Sequence, residues 1–588
     1  SPLALSAEGN YQGSAFAVVG RTQLSHPAGG IWDEWYLAFD DGRWGWLAEA
    51  QGKFYLTFES KGSTNHPSPR GLAPGAQVTL GTTPGWVVQE VGTATAVTGE
   101  GELPYTFHPN DSYVYADLSG PRGAFATLSF TDEASSSLFI GREVSLRDLK
   151  VEARAGYGPG RTLSTTTLSC PHCGGSLTLR VPDQTQRVTC PSCDSLLDTS
   201  QGDLRFLSSL PAAKDKIWIP PGTEGKLRGV AFTAIGFMRR SCSVEGMRYF
   251  WDEYLLYKPD VGFRWLMESD GHWNFIEPVA AADVMTHDRS ASFQGKTFRK
   301  FQEVIARVET VRGEFYWKVS QGEAAQAADF VSAPDLLSLE ISESGSDSTR
   351  RGGSSQEINW SRGTYLDGKE IWEAFKLPGD PPPRSGIAPN QPSPYRKPLR
   401  DMIPWTVGFL IAVMVLYLST AVSSSTLFTM NHSLPLAGNE RGEQVVFDGP
   451  IKISSGRKNL TVEVQSSVDN TWLYVEGALV SEQTGAVAGF GIETSYYHGS
   501  DWSEGNRSGT VHLSPLPRGD YMLRLAPQWE KGKQATSFQV KVSEGGARAV
   551  YALLAFLVIA SGPLLIGLLH GMFENRRWQE SMYSGESE

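Results

Sequence analysis

Along the first half of the chain, apolar residues recur at alternate positions in short runs, and each run ends in a turn sequence. Glu34 to Phe39, Trp44 to Leu47 and Lys53 to Phe58 are rich in aromatics and are separated by Asp40-Asp41-Gly42-Arg43 and Glu49-Ala50-Gln51-Gly52. A period of two broken by such turns predicts an antiparallel meander. The pattern returns at Glu253 to Tyr257, Phe263 to Met267 and His272 to Ile276. Between residues 424 and 548 the alternation reappears at Asn459 to Gln465 and Tyr521 to Leu525. With Trp472 to Val480, Val487 to Tyr497, Thr510 to Leu513 and Ser537 to Val542, that region holds six or seven strands and predicts a β-sandwich.

Two stretches break the alternation altogether. Ile403 to Ser423 has no charged residue in 21 positions, which at helical rise spans about 31 Å, the thickness of a hydrocarbon core. Ala549 to Met572 is a second uncharged run, of 24 residues, with Gly562-Pro563 predicting a kink inside it. Both read as transmembrane helices. Arg396, Lys397 and Arg400 precede the first, and no Lys or Arg follows it until Arg441, which places its N-terminal side in the cytoplasm. The second helix is mildly adverse on this test, with Lys531, Lys533, Lys541 and Arg548 before it against Arg576 and Arg577 after it. Two spans return the C-terminus to the same side. The expectation is an integral membrane protein with both termini cytoplasmic and residues 424–548 outside.

The chain repeats itself. Trp32-Asp33-Glu34 with Trp46-Leu47, Glu49, Gly52 and Phe54 correspond to Trp251-Asp252-Glu253 with Trp265-Leu266, Glu268, Gly271 and Trp273, all 219 residues apart. Gly9, Gly13, Phe16 and Gly20 match Gly225, Gly229, Phe232 and Gly236. Further on, Gly101-Glu102 and Asp117 match Gly313-Glu314 and Asp329, and Gly141 and Glu143 are paired with Gly368 and Glu370. Each copy is expected to be a small antiparallel barrel or curled sheet, with Trp46 and Trp265 buried in its core.

Between the copies Cys170-Pro-His-Cys173 is followed, after sixteen residues, by Cys190-Pro-Ser-Cys193. Two such knuckles supply four thiolates at tetrahedral geometry, with Gly174-Gly175 making the turn after the first. This predicts a zinc ribbon whose Zn²⁺ is structural, because four thiolates leave no position for an activated water. His172 is then not needed as a ligand, and the fifth cysteine, Cys242, reads as a small buried side chain. Cysteines that hold a metal imply a reducing compartment.

These assignments divide the chain into a first repeat (1–160), the ribbon (165–207), a second repeat (215–378), a poorly ordered Pro-rich linker (379–402), a helix (403–423), a sandwich (424–548), a helix (549–572) and a cytoplasmic tail (573–588). The fold class is mainly β. Composition bounds the function: 52 Lys and Arg against 64 Asp and Glu give a net charge of −12, the wrong sign for gripping a phosphate backbone. The ribbon adds only Arg161, Arg180, Arg187 and Arg205.

The run GNYQGSAFAVVGRTQL, then WDEWYLAFDDGRWGWLAEAQG, then GEGELP, resembles the bacterial family called domain of unknown function 4178. The second copy is a more divergent member, and the resemblance covers roughly residues 1–150 and 217–378. It implies a cysteine-pair ribbon ahead of the domain and an envelope-related role, and it assigns no chemistry. By analogy with the second copy, a first ribbon is expected upstream of Ser1.

The carboxylates kept in both copies, Asp33/Asp252, Glu34/Glu253, Glu49/Glu268, Glu102/Glu314 and Asp117/Asp329, are the candidates for hydrolase-like acid–base work. The more economical expectation is salt bridging and turn capping. In the sandwich, Tyr496, Tyr497, Asp501, Trp502 and Glu504 form a candidate loop for a sugar-like ligand, with core aromatics and a solvated loop as the plainer reading. The function expected is a non-enzymatic membrane-anchored scaffold or sensor, partnered by the lipid bilayer and by proteins in the cytoplasm and membrane. The alternatives are the hydrolase and a nucleic-acid-binding ribbon. No small-molecule ligand is named by the sequence.

Overall fold

The computed structural model describes residues 3–26, 31–50, 53–61, 67–130, 136–151, 166–182, 184–199, 204–210, 216–259, 261–344, 355–436, 442–530, 537–546 and 548–583. Ser1, Gln51, Gly52, Arg161, Arg441, Lys531 and Lys533, named above, lie outside these residues. The chain forms two compact units, residues 1–393 with 572–588, and residues 394–571.

Each repeat closes into an eight-stranded antiparallel barrel. In the first, β1 (Ser14–Ser25), β2 (Ile31–Phe39), β3 (Trp44–Ala50) and β4 (Lys53–Glu59) form the predicted meander, and β5 (Thr83–Gly101), β6 (Ser112–Gly120), β7 (Ala124–Phe130) and β8 (Ser136–Val144) form a second. Pairing of β4 with β8 and of β1 with β5 joins the two into a ring. The second repeat does the same with β9 (Val230–Val244), β10 (Met247–Lys258), β11 (Gly262–Ser269), β12 (His272–Val279), β13 (Lys296–Phe315), β14 (Ala324–Ser332), β15 (Asp335–Ser344) and β16 (Ser355–Leu366). There β12 pairs with β16 and β9 with β13. The glycines kept at this seam have a steric reason: Gly20 faces Gly101 and Gly236 faces Gly313. Gly101 and Gly313 have φ of +74° and +84°, and a Cβ on either would lie 2.3 or 2.2 Å from a backbone oxygen of β1 or β9.

The two faces of the barrel wall differ in character. One face carries Phe16, Val18, Trp35, Leu37, Leu47, Phe54 and Leu56 in the first barrel. The second has Phe232, Ala234, Tyr254, Leu256, Leu266, Trp273 and Phe275 at the equivalent positions, covered by helix α1 (Gly368–Phe375) through Ile371, Trp372 and Phe375. The opposite face carries charged and polar groups among aromatics, with an apolar patch of Leu255, Tyr257 and Phe263 in the second barrel. It lines the lumen, because Arg240 on β9 bonds Glu340 on β15 at 2.6 Å although two strands of the ring separate β9 from β15. The barrels adjoin along β5 and β16, where Val91 pairs with Gln356 and Glu90 with Glu357.

Two expectations need correction. Trp46 and Trp265 do occupy equivalent strands, but both are only half-buried. Trp46 stacks on Tyr36 at 4.7 Å and Trp265 meets Trp317 at 5.8 Å. The period of two sends each Trp and the following Leu to opposite faces, and Leu47 and Leu266, both 0% exposed, fill the core. The pairing of Gly141 with Gly368 also fails. Gly141 lies opposite Thr57 and its counterpart is Gly363, opposite Ile276, whereas Gly368 and Glu370 belong to α1.

The Pro-rich stretch is irregular but packed. Asn390, 1% exposed, donates to Asn274 at 2.6 Å and to the Pro334 carbonyl at 3.0 Å. His272 Nε2 meets the Ser385 carbonyl at 3.1 Å, and Arg384 pairs with Asp367 at 2.5 Å. Buried polar partners, rather than a repeating backbone pattern, fix this segment on the second barrel. The apolar runs become α2 (Arg396–Val422) and α3 (Ala549–Gln579), both long and apolar enough to cross a membrane. α3 outruns its apolar segment by one to two turns. Residues beyond it pack on the second barrel, with Trp578 5.7 Å from Phe301, Arg299 stacked on Trp578 at 4.4 Å, and the Ser581 hydroxyl donating to the Phe301 carbonyl at 2.7 Å.

Residues 425–544 form the sandwich. A four-stranded sheet (Ser425–Ser433, Ser537–Glu544, Leu460–Ser466, Ser508–Leu513) faces a second sheet built on Gly519–Trp529, Thr471–Ser481 and Val487–His498. Val462, Val464, Val540 and Val542 of one sheet pack on Leu473, Val475, Leu523 and Leu525 of the other.

Candidate metal centre and barrel lumens

The two cysteine knuckles have the same backbone. The Cys170 amide bonds the Gly175 carbonyl and the Cys190 amide the Ser195 carbonyl, both at 2.9 Å. The turns close through the Gly174 and Asp194 amides onto the carbonyls of Cys170 and Cys190. Both turn residues have positive φ, +73° and +54°. This brings the four sulfurs within 4.8 Å of one another, with Cys170–Cys193 at 3.9 Å and Cys173–Cys190 at 3.7 Å. A tetrahedron with metal–sulfur legs of about 2.3 Å has edges of about 3.8 Å, so the thiols fit a metal ion without rearrangement. The Ser195 hydroxyl at 3.1 Å, with His172, holds the Cys193 thiol down at about 5, favouring the thiolate a metal takes. His172 is outside the sulfur cluster and stacks on Phe206 at 4.7 Å.

Glu314 joins the ribbon to the second barrel. Its carboxylate, 1% exposed, accepts the Arg180 and Val181 amides at 2.8 and 2.9 Å and the Thr185 hydroxyl at 3.0 Å, and Arg180 Nη1 lies at 3.5 Å. Beside it Arg187 and Val188 pair with Phe315 and Glu314, extending the β13 edge into the ribbon. Val181, Leu196 and Leu210 pack with Met238, Leu255 and Phe315. Glu314→Ala removes the acceptor for three buried donors and is expected to cost about 3–5 kcal/mol. Hydrogen exchange should then rise across residues 176–198, whereas Glu102→Ala, at the exposed equivalent position, leaves exchange unchanged.

The other shared carboxylates divide by wall face. Asp33 and Asp252 are structural ion pairs: Asp33 accepts Arg21 Nε and Nη2 at 3.1 and 2.9 Å, and Asp252 accepts Arg239 Nε and Nη2 at 2.6 and 2.9 Å. Glu49 and Glu268 sit opposite them on the next strands, and Glu268 accepts the Gly271 amide at 2.7 Å. Glu34, Asp117, Glu253 and Asp329 face the lumens, which open into a shared cavity of about 2760 Å³. Burial pushes all four upward, Asp117 to about 8 with the neighbouring Glu90 carboxylate adding to the effect. Burial, then Glu90, likewise pushes Glu357 to about 7. Glu90, Glu340 and Glu357 are lumen carboxylates that comparison of the repeats does not reveal, since each belongs to one copy only. Cys242, 7% exposed, packs with Val304, Ala306 and Ala327 in the second barrel.

The sandwich residues singled out above are divided between the packed sheet and the exposed hairpin. Tyr496 packs against the sandwich core under the Arg507 guanidinium, 4.1 Å from its ring, and Tyr497 is half-buried opposite Glu504. Asp501, Trp502 and Glu504 are exposed on the hairpin that follows, Trp502 at 54%.

A family model described as Domain of unknown function (DUF4178) matches residues 4–146 and 220–368. No curated protein matches the chain. Among solved structures, that of infectious bursal disease virus strain Gx is 11% identical, covering 66% of this chain and 70% of its own at a TM-score of 0.13. A glycoside hydrolase family 43 arabinoxylan arabinofuranohydrolase from Bacillus subtilis is 9% identical, with 93% and 96% covered and a TM-score of 0.13. Neither score implies a common fold.

Proposed function

We propose that this chain, which carries two copies of the DUF4178 domain, is a membrane-anchored, non-enzymatic scaffold or sensor that couples an extracytoplasmic β-sandwich to cytoplasmic, protein-binding β-barrels. The observation that carries the reading is the packing on the second barrel of the segment that precedes α2 and of the residues at the end of α3. The segment leading into α2 is fixed on the second barrel by Asn390, and the end of α3 is fixed there by Trp578 and Ser581. These contacts hold residues 390, 578 and 581 on the second barrel, at Asn274 of β12 and Phe301 of β13. The ribbon's ion is Zn²⁺ held by Cys170, Cys173, Cys190 and Cys193, and it is structural because the thiolates complete its coordination. Two of the ribbon's arginines are already paired, Arg180 with Glu314 and Arg187 with Asp198, which weighs against a nucleic-acid role.

Labelling tests the topology. A cysteine at Gly485 should react with an impermeant maleimide on intact cells, and one at Ser385 only after permeabilisation. The reverse pattern overturns the orientation and puts the ribbon in an oxidising space. Coupling is tested by Trp578→Ala, which should raise amide exchange around Phe301 by about tenfold as the docked tail loosens; unchanged exchange there overturns it.

A further inference from the structure

The two barrels differ at one lumen position that bears on a ligand. Leu24 of β1 and Arg240 of β9 are equivalent on both sides: they lie opposite Trp32 and Trp251 on the next strand, and opposite Ala96 and Val308 across the seam. In the second barrel the Arg240 guanidinium meets Glu253 at 3.3 Å and Glu340 at 2.6 Å, and its charge is felt by Asp329. In the first barrel Glu34 and Asp117 hold the places of Glu253 and Asp329. Trp32 donates to Glu34 at 3.1 Å as Trp251 does to Glu253 at 2.7 Å, so the acid is presented in the same way. Leu24 brings no charge. Among the described residues, Glu34 and Asp117 have only the Trp32 indole and the Thr127 hydroxyl as bonded partners, and no cation pairs with either. Glu90, where the second barrel has Gln302, adds another carboxylate, held by His26 and by the Tyr115 hydroxyl, each at 2.8 Å.

We propose that the lumen of the first barrel binds a small organic cation with a guanidinium head, which takes the place that Arg240 fills in the second. This goes beyond the scaffold reading and does not rest on it. Enclosed carboxylates without a counter-charge are costly, and Arg240 is the second barrel's own answer to the same acids. A planar guanidinium suits this lining for two reasons: it forks onto carboxylates and it stacks on aromatic faces, which Trp32, Tyr55 and Tyr113 supply beside the acids. Around the first barrel's part of the cavity, the described groups that titrate or carry charge are Asp33 and Glu34 on β2, Glu49 on β3, Lys53 and Tyr55 on β4, Glu90 on β5, Tyr113, Tyr115 and Asp117 on β6, Glu143 on β8, Glu357 on β16, and His26, with Tyr105 close to Tyr113. Because the carboxyls are pushed upward, a cation should bind more tightly as pH rises.

The test uses the full chain in detergent and titration calorimetry with n-butylguanidine, against the neutral n-butylurea. The expected result is one site per chain, at least about tenfold weaker for the urea and at least about tenfold tighter at pH 9 than at pH 6. Glu34→Gln and Asp117→Asn should each weaken it about tenfold or more, and Leu24→Arg, which supplies the second barrel's cation, should abolish it at an unchanged melting temperature. No binding of butylguanidine up to about 10 mM, equal binding of the urea, or wild-type affinity in Glu34→Gln overturns the proposal. If Leu24→Arg does not fold, the isosteric Glu34→Gln still decides.

Discussion

Chelation of the ribbon's metal, or Cys190→Ser, will unfold residues 166–209 and strip cover from the second barrel while leaving the first intact. The ribbon's own apolar core is small, with Leu177, Leu179, Val188 and Leu197 around the buried Cys170 and Cys190. Metal binding in peptides of this size is worth on the order of 10–16 kcal/mol at neutral pH, so a metal held by these four thiols would supply folding free energy. Its loss propagates because Glu314 and the Val181, Leu196 and Leu210 side chains bind the ribbon to β9, β10 and β13. Elemental analysis of thiol-reduced protein should find one zinc per chain, and X-ray absorption should give sulfur neighbours at about 2.3 Å. Hydrogen exchange after chelation should rise in residues 166–209 and 235–257 and stay flat in residues 14–144. Finding no metal, or disulfides in place of thiols, defeats the assignment.

What the sequence made legible was whatever is written locally. The cysteine knuckles are set by spacing and a positive-φ turn residue, and the meanders by alternation between turn residues, so both were visible. Most sandwich strands from Leu460 onward were visible for the same reason, whereas Ser503–Asn506, Val446–Ile453 and Ser425–Ser433 were not. The last of these follows α2 directly, and much of its surface is exposed, so it lacks a clear apolar face. Barrel closure depends on β1 meeting β5 and β9 meeting β13, pairings of residues up to about eighty positions apart that no local pattern encodes. The docked 379–393 segment looked like a linker because proline content reports backbone conformation and not the buried Asn390 that fixes it. Of the shared carboxylates, spacing identified all five pairs but not their wall face. Nor did it show the bulges at Val18/Gly20 and Ala234/Gly236, which shift the alternation of β1 and β9 and turn Leu24 and Arg240 to the face of Trp32 and Trp251.

Trp273→Ala should cost about 3–5 kcal/mol and act on the second barrel alone. Among the described residues Trp273 is the largest fully buried side chain, packed 5.6 Å from Tyr254 and edge-on to Trp372 at 5.9 Å, where β10, β12 and α1 converge. Its indole N–H has no acceptor among the described residues, so the substitution chiefly removes packing. The cavity is bounded by Leu256, Leu266 and Phe275 from the sheet and Ile371 from α1, and rigid strands on one side limit collapse. Phe54→Ala, at the equivalent place in the first barrel, should give a similar loss there. By contrast, Trp46→Ala and Trp265→Ala remove half-buried rings from the opposite face and should cost only about 1–2 kcal/mol, the scale of an aromatic stack with partial burial. Barrel-resolved hydrogen exchange under denaturant separates the four variants. If Trp265→Ala destabilised its barrel as much as Trp273→Ala, the main core would lie on the lumen side of the wall, and its assignment to the face covered by α1 would be wrong.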